Sequence, residues 1–148
     1  MPLTFDEGGV ISRSPAETEL LAAEFYELAE PDGLAALYGP LGAGKTAFVR
    51  GVARAAGVDP TLVGSPSFTF INEYGGGRTP LYHFDLFRLK NPEEIFSLGA
   101  DDYFNRPGLI LIEWADRGGP YIPRPRYEIF FEIVDDSSRH LTFNRPKS

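Results

Sequence analysis

One short segment constrains the fold of this chain more than any other feature of its sequence. Residues 39–46 are Gly-Pro-Leu-Gly-Ala-Gly-Lys-Thr and match the pattern G-x-x-x-x-G-K-[ST] at every fixed position. The short apolar run Gly33–Tyr38 precedes the segment, and a helix is predicted from Gly44 to Ala56. A strand, a glycine-rich loop and a helix in this order form a phosphate-binding loop. The pattern therefore predicts an α/β protein that binds a nucleotide.

The chemistry of phosphate binding explains the residue types in this loop. Glycine lets the backbone curl so that its N–H groups point at phosphate oxygens, and the N-terminus of the next helix favours anions. Lys45 is expected to reach the β- and γ-phosphates, and the Thr46 hydroxyl is expected to bind Mg²⁺. We predict ATP and Mg²⁺ as cofactors. The predicted nucleotide-binding residues are Gly39, Leu41, Gly42, Ala43, Gly44, Lys45, Thr46, Ala47 and Ser67.

Two carboxylates are candidates for the metal and for catalysis. Glu113 ends the strand-like run Leu109–Ile112, where a P-loop enzyme places a metal carboxylate; a solvated strand-end glutamate is the alternative. Asp85 lies in the aromatic-rich segment Leu81–Phe87, where an acid needs a partner. It binds the metal, orients the attacking water, or pairs as an edge-strand acid with Arg88. The predicted catalytic residues are Lys45, Asp85 and Glu113, and the predicted metal ligands are Thr46, Glu113 and Asp85.

Three neighbouring positions have weaker signals. His83 shares a strand face with Asp85, but a histidine in an aromatic strand is typical of a packed, hydrogen-bonded core residue. Ser67, within Ser65–Phe68, either supplies a hydroxyl to the metal and the γ-phosphate or lies in a plain turn. Trp114 is expected to pack beside Glu113 and to report on the site by its fluorescence.

The order of predicted elements indicates a single P-loop NTPase domain over residues 1–148, with a mixed central sheet flanked by helices. Ser14-Pro15-Ala16-Glu17 begins a helix with a capping box, and residues 91–94, Asn-Pro-Glu-Glu, repeat this pattern. Antiparallel hairpins make the sheet mixed. The two predicted hairpins are Phe68–Tyr74 with Leu81–Phe87, and Tyr127–Val134 with Arg139–Phe143.

Composition excludes several classes of function. The chain has no cysteine, which excludes disulfides, iron–sulfur clusters and thiol catalysis. Its net charge of -7, with arginines scattered among prolines and acids, disfavours direct binding of nucleic acid. No signal peptide or membrane-spanning run is visible, so no membrane association and a cytoplasmic location are expected.

Four segments, in this order, resemble the TsaE (YjeE) family of bacterial P-loop ATPases. They are Leu-Gly-Ala-Gly-Lys-Thr (41–46), Ser-Pro-Ser-Phe (65–68), His-Phe-Asp-Leu-Phe-Arg-Leu (83–89) and Ile-Glu-Trp (112–114). The P-loop alone does not identify a family, but its combination with the patterns HxDxxRL and IEW is specific. Three positions depart from the family pattern, with Pro40, Ser67 and Phe87 in place of a usual Asp, Thr and Tyr.

The resemblance implies an ATPase that is needed for threonylcarbamoyladenosine modification of tRNA, and it implies a partnership with the TsaB–TsaD complex. Because the sequence offers no convincing internal arginine to assist hydrolysis, turnover of this Mg²⁺-dependent ATPase without its partner is expected to be slow. Because of the net charge of -7, tRNA is expected to be engaged only indirectly. The resemblance also implies that Thr46 and Glu113 contact Mg²⁺, that Asp85 is needed for hydrolysis, and that Ser65–Phe68 behaves as a switch.

Other P-loop functions compete with this interpretation. A small-metabolite or nucleoside kinase usually carries an arginine-rich lid, and the sequence shows no such cluster. A GTPase is disfavoured because the guanine-binding motif Asn-Lys-x-Asp is absent. A nucleotide-binding adaptor without turnover is the remaining alternative.

Overall fold

The computed structural model describes Phe5 and residues 8–146, and its strands form one seven-stranded sheet. The strands are β1 (Val10–Ser12), β2 (Leu34–Tyr38), β3 (Ile71–Tyr74), β4 (Leu81–Asp85), β5 (Leu109–Glu113), β6 (Tyr127–Ile133) and β7 (Arg139–Asn144). The α-helices are α1 (Pro15–Leu28), α2 (Lys45–Ala56) and α3 (Ala100–Phe104). Short 3₁₀ helices span Pro60–Leu62, Pro92–Leu98 and Ala115–Tyr121. Among the described residues, no helix has the length and apolar character needed to cross a membrane.

The sheet is mixed, as the hairpin signals predicted. Its strand order is β1-β7-β6-β2-β5-β4-β3. The four central strands β6, β2, β5 and β4 run parallel to one another. The outer pairs β3–β4, β6–β7 and β7–β1 are antiparallel. The carboxyl ends of the central strands therefore meet at one edge of the sheet, which is the edge where ligands bind in parallel α/β folds.

Three predicted elements differ from the sequence expectation in type or by more than one residue, and one of them is β4, which ends at Asp85 rather than at Phe87. Strand β3 begins at Ile71 rather than at Phe68, because Phe70 turns with a positive φ of 69° and its N–H donates to Pro66 O at 2.6 Å. The predicted helix after Asn91 forms with its capping box, but it is a 3₁₀ helix over Pro92–Leu98. Gly99, in the left-handed region at φ 76°, ends it. The sequence pattern therefore located these elements, but it did not give the start of β3 or the helix type.

The two faces of the sheet are covered differently. Helices α1 and α2 pack side by side on one face, around an aromatic core that includes Phe25, Phe48 and Phe143. Gly51 allows this approach, because a methyl group there would lie 2.6 Å from Glu19 Cα and 2.8 Å from Ala22 Cβ. The other face is covered by α3 and by the longer 3₁₀ segments. The face with two regular helices is the one that carries the glycine-rich loop.

Candidate nucleotide-binding site

The predicted site residues meet at the carboxyl edge of the parallel strands. Strands β4 and β5 end at Asp85 and Glu113, which are paired in register. Leu37 of β2 is also paired with Glu113, and the glycine-rich loop leaves β2 two residues later. Sheet pairing thus brings together residues that are 28 and 76 positions apart in the sequence.

Two glycines give the loop its shape. Gly39 has φ 155°, and a methyl group there would lie 2.7 Å from the Phe131 carbonyl oxygen. Gly44 has φ 99° and precedes the first residue of α2, so no side chain caps the helix. The first turn of α2 therefore keeps N–H groups available to an anion, as in a phosphate-binding loop.

Lys45 is folded back against its own loop. Its ammonium donates to Gly39 O and, at 3.2 Å, to Pro40 O, and it lies 3.7 Å from the centre of the Trp114 ring. Burial lowers the pKa of Lys45, while the charges of Glu113, Asp116 and Asp85 act in the opposite direction. The ammonium is thus held at the cavity by weak acceptors that phosphate oxygens can replace.

Thr46 and Glu113 are in direct contact. The Thr46 hydroxyl lies 3.0 Å from Glu113 Oε1 and 2.9 Å from Oε2. The alternative of a solvated strand-end glutamate is wrong, because Glu113 is only 3% exposed. His83 Nε2 lies 2.6 Å from Glu113 Oε2, and His83 Nδ1 lies 3.0 Å from the Tyr74 hydroxyl. His83 is a hydrogen-bonded core histidine, as predicted, and its partner is the central carboxylate of the site.

Asp85 is held from two directions. The Ser65 hydroxyl donates to Asp85 Oδ2, and the Phe87 backbone N–H donates to Oδ1 at 2.9 Å. The alternative of an edge-strand acid paired with Arg88 is wrong, because β4 lies between β5 and β3 and Arg88 instead lies 4.1 Å from the centre of the Phe68 ring. Ser65, which was not singled out by itself, contacts a candidate catalytic residue, and Ser67, the predicted nucleotide-binding serine, lines the same cavity.

These side chains surround a cavity of about 440 Å³. Every predicted nucleotide-binding residue except Gly39 lines it, as do Asp85 and Glu113. Four further lining residues were not among the predicted nucleotide-binding, catalytic or metal-binding residues: Ser65, Phe87, Arg88 and Trp114. All four lie within the motif segments 65–68, 83–89 and 112–114, and those segments were the signal available. Trp114 follows Glu113 with a positive φ of 57°, and its ring contacts Lys45 and Phe87.

The donor set in the cavity fits Mg²⁺. It offers the Thr46 hydroxyl and the carboxylates of Glu113 and Asp85, which are the hard oxygen ligands that Mg²⁺ takes. Within the described part of the chain, no cluster of three or more His, Asp or Glu side chains forms a self-contained metal site. Mg²⁺ is usually bound by one or two carboxylates together with substrate phosphates, so this sparse set is the expected one.

The fold and the site define a P-loop protein of the α/β class, with the loop between the central strand β2 and helix α2. A family model described as "Threonylcarbamoyl adenosine biosynthesis protein TsaE" matches residues 12–141. The chain belongs to the TsaE family, as its motifs indicated.

Individual relatives agree with this assignment. A protein of Bacillus subtilis (strain 168) is 39% identical over 88% of this chain and 80% of its own length. A protein of Nostoc sp. is 43% identical over 70% of this chain and 64% of its own length. Both are named tRNA threonylcarbamoyladenosine biosynthesis protein TsaE. The crystal structure of YdiB from Bacillus subtilis superimposes with a TM-score of 0.76 at 34% identity, covering 93% of this chain and 84% of that one.

Proposed function

We propose that this protein binds and hydrolyses ATP with Mg²⁺, and that it serves the threonylcarbamoyladenosine modification of tRNA. One observation carries the ATPase proposal: Lys45, Thr46, Asp85 and Glu113 line a single cavity at the mouth of a glycine-rich loop. The role in tRNA modification is supported by the names of the relatives.

The proposed chemistry uses this chain's residues for positioning and for charge. The N–H groups of residues 42–46 and the Lys45 ammonium bind the phosphates, as Lys45 gives up its contacts to Gly39 O and Pro40 O. Thr46 and Glu113 would hold Mg²⁺, which would neutralise negative charge on the β- and γ-phosphates. Asp85 would supply the second carboxylate, either as a metal ligand or as the group that orients the attacking water.

The surface around the cavity supports docking of a partner over the nucleotide. Leu41 and Phe68 are 77% and 79% exposed, and Phe87 is 39% exposed. All three lie at the cavity or on the loop that precedes β3. Exposed apolar side chains of this size mark interaction surfaces when they cluster. The proposed partner is the TsaB–TsaD complex.

Turnover by the chain alone is expected to be slow, and the proposed partner is expected to raise it. P-loop enzymes often use an arginine to stabilise the transition state. Among the cavity-lining residues Arg88 is the one arginine, and its guanidinium is stacked on the exposed Phe68 ring. We expect docking of TsaB–TsaD to order residues 65–68 and to raise turnover. Hydrolysis would then control assembly and product release.

Reconstitution of modified tRNA tests this role. Purified TsaB–TsaD, tRNA and the threonylcarbamoyl donor are incubated with this protein, without it, or with its Lys45→Ala variant. The role predicts multiple turnovers only with the parent protein and ATP. Sustained turnover without it would contradict the role in modification and leave the ATPase proposal intact.

Contact with tRNA is proposed to be indirect. The net charge of -7 repels the phosphate backbone, so the isolated chain should bind tRNA no better than a generic acidic protein. Gel-shift titration at physiological salt measures this, and sub-micromolar binding by the chain alone would contradict it. A cytoplasmic location and a single-domain organisation over residues 1–148 belong to the same proposal.

A further inference from the structure

A chain of three hydrogen bonds, two of them buried and one partly buried, connects β3 to Thr46, the residue after the loop lysine. It begins at the Tyr74 hydroxyl, passes through the ring of His83 and the carboxylate of Glu113, and ends at the Thr46 hydroxyl. His83 has no exposed surface, and Tyr74 and Glu113 are 5% and 3% exposed. Within the described residues, no buried side-chain nitrogen or oxygen lacks a partner. A fully satisfied buried polar chain fixes its members in one geometry.

The direction of these hydrogen bonds follows from the chemistry of the groups. An ionised carboxylate only accepts hydrogen bonds, so at 2.6 Å His83 Nε2 carries a hydrogen and donates it to Glu113. In a neutral ring Nδ1 is then the acceptor, and the Tyr74 hydroxyl donates to it at 3.0 Å. The other acceptor near that hydroxyl, Gly64 O, is more distant at 3.4 Å. Burial raises the pKa of Tyr74, so the phenol keeps the hydrogen that it donates.

The geometry points to Tyr74 and His83 as positioning residues for the metal-binding carboxylate. His83 holds Glu113 Oε2, and this contact fixes the orientation of the carboxylate towards Thr46. Tyr74 holds His83 in the form that donates from Nε2. Histidines and carboxylates that contact a metal ligand commonly set its orientation, and their loss weakens metal affinity by about ten- to a hundredfold. This inference rests on the proposed function of the site.

The neighbouring Tyr82 provides a matched control. Tyr82 follows Leu81 on the same strand as His83, but it belongs to the opposite face of the sheet and its hydroxyl donates to Pro107 O at 3.0 Å. Tyr74→Phe and Tyr82→Phe each remove one hydroxyl from a buried tyrosine with no change in ring size. Only the first breaks the chain that leads to Glu113.

The test compares nucleotide binding with and without the metal. Adenylyl imidodiphosphate, an ATP analogue that resists hydrolysis, is titrated by calorimetry in excess Mg²⁺ and again in EDTA. The dissociation constant in EDTA divided by the dissociation constant in Mg²⁺ reports how strongly Mg²⁺ supports binding. His83→Leu should reduce this ratio about tenfold, and Tyr74→Phe about threefold. Affinity in EDTA should stay within about twofold of the parent value, because the loop and Lys45 are untouched.

A conservative variant distinguishes positioning from packing. His83→Gln places an amide N–H near the position of Nε2 and should recover most of the Mg²⁺ effect, whereas Tyr82→Phe should leave the ratio unchanged. Equal weakening in Mg²⁺ and in EDTA, or an unchanged ratio in Tyr74→Phe and His83→Leu, would overturn the inference. If His83→Leu does not fold, Tyr74→Phe decides the outcome. A parent protein that binds no nucleotide would instead overturn the proposed function.

Discussion

On one side of the cavity the contacts come from seven consecutive residues, and on the other they come from separate parts of the chain. The loop side consists of residues 41–47, whose backbone and Lys45 face the cavity. The acid side consists of Asp85 and Glu113, which sheet pairing brings together, and of Ser65 and His83, which hydrogen-bond to them. Phosphate binding thus depends on a local structure, whereas metal binding and hydrolysis depend on the register of the sheet. The two sides should fail in different ways when they are altered.

The largest expected effect is on the loop side. Lys45→Ala removes the one ammonium among the cavity-lining residues, and charged hydrogen bonds contribute about 1.5–3 kcal/mol each. We expect ATP affinity to fall by about a hundredfold. Titration calorimetry measures the affinity, and circular dichroism should show an unchanged fold. Lys90→Ala, which changes an exposed lysine outside the cavity, is the control. Parental affinity in Lys45→Ala would make the P-loop assignment wrong.

The next prediction concerns the packing of α1 against α2, the helix that follows the loop. Gly51→Ala forces a methyl group against the backbone of Glu19 on α1, and overpacking of this kind costs about 1–3 kcal/mol. We expect the midpoint of thermal unfolding to fall by several degrees, about 4 °C for each kcal/mol. Gly75→Ala is the matched control, because no atom lies within 4 Å of a methyl group there. Equal unfolding midpoints for the two variants would show that the α1–α2 contact is not tight.

On the acid side, binding and turnover should separate. Glu113→Gln keeps the size of the side chain and one hydrogen-bond acceptor, but it removes the charge beside Thr46. We expect ATP still to bind, and the hydrolysis rate at saturating ATP to fall by about tenfold or more. Glu132→Gln, on the exposed side of β6, should have the parental rate. Unchanged turnover in Glu113→Gln would show that Glu113 is not the metal-binding carboxylate, and Asp85 or Asp116 would then be assigned that role.

The smallest effect is expected at Asp85. Asp85→Asn retains an acceptor for the Phe87 N–H but replaces charged hydrogen bonds with neutral ones, a difference of about 1 kcal/mol. We expect turnover to fall by about fivefold while ATP affinity changes little. The exposed Asp101 of α3 supplies the control substitution, Asp101→Asn. A loss of affinity as large as that in Lys45→Ala would contradict the division between the two sides.

The division between local and long-range structure also separates the elements that the sequence predicted from those that it did not. The strand before the loop, the capped helix α1 and both hairpins were confirmed from sequence pattern, because periodicity and cap residues act over a few neighbouring positions. Strand β1, helix α3 and two of the 3₁₀ helices were not predicted. These elements are short, and their pairing or packing partners lie far away in the sequence.

The positions of the arginines in the structure could not be predicted from the sequence either. The scattered arginines gave no sign of a basic surface in the sequence. In the structure four of them, Arg106, Arg124, Arg126 and Arg145, line one cavity of about 630 Å³ at the amino-terminal end of β2, β5 and β6. Two of the four are paired with acids, Arg106 with Glu73 and Arg126 with Glu128.

The sequence by itself determined the phosphate-binding loop, since all its determinants lie within eight consecutive residues and the helix that follows. It also placed Glu113 at the end of a strand and Asp85 within another, and it marked both as candidates for the metal and for catalysis. Only the tertiary structure decided their partners: Thr46 and His83 for Glu113, Ser65 for Asp85, and Trp114 for Lys45. The physical reason is that a hydrogen bond between side chains depends on strand register and rotamer, and neither is encoded by the spacing of residues along the chain.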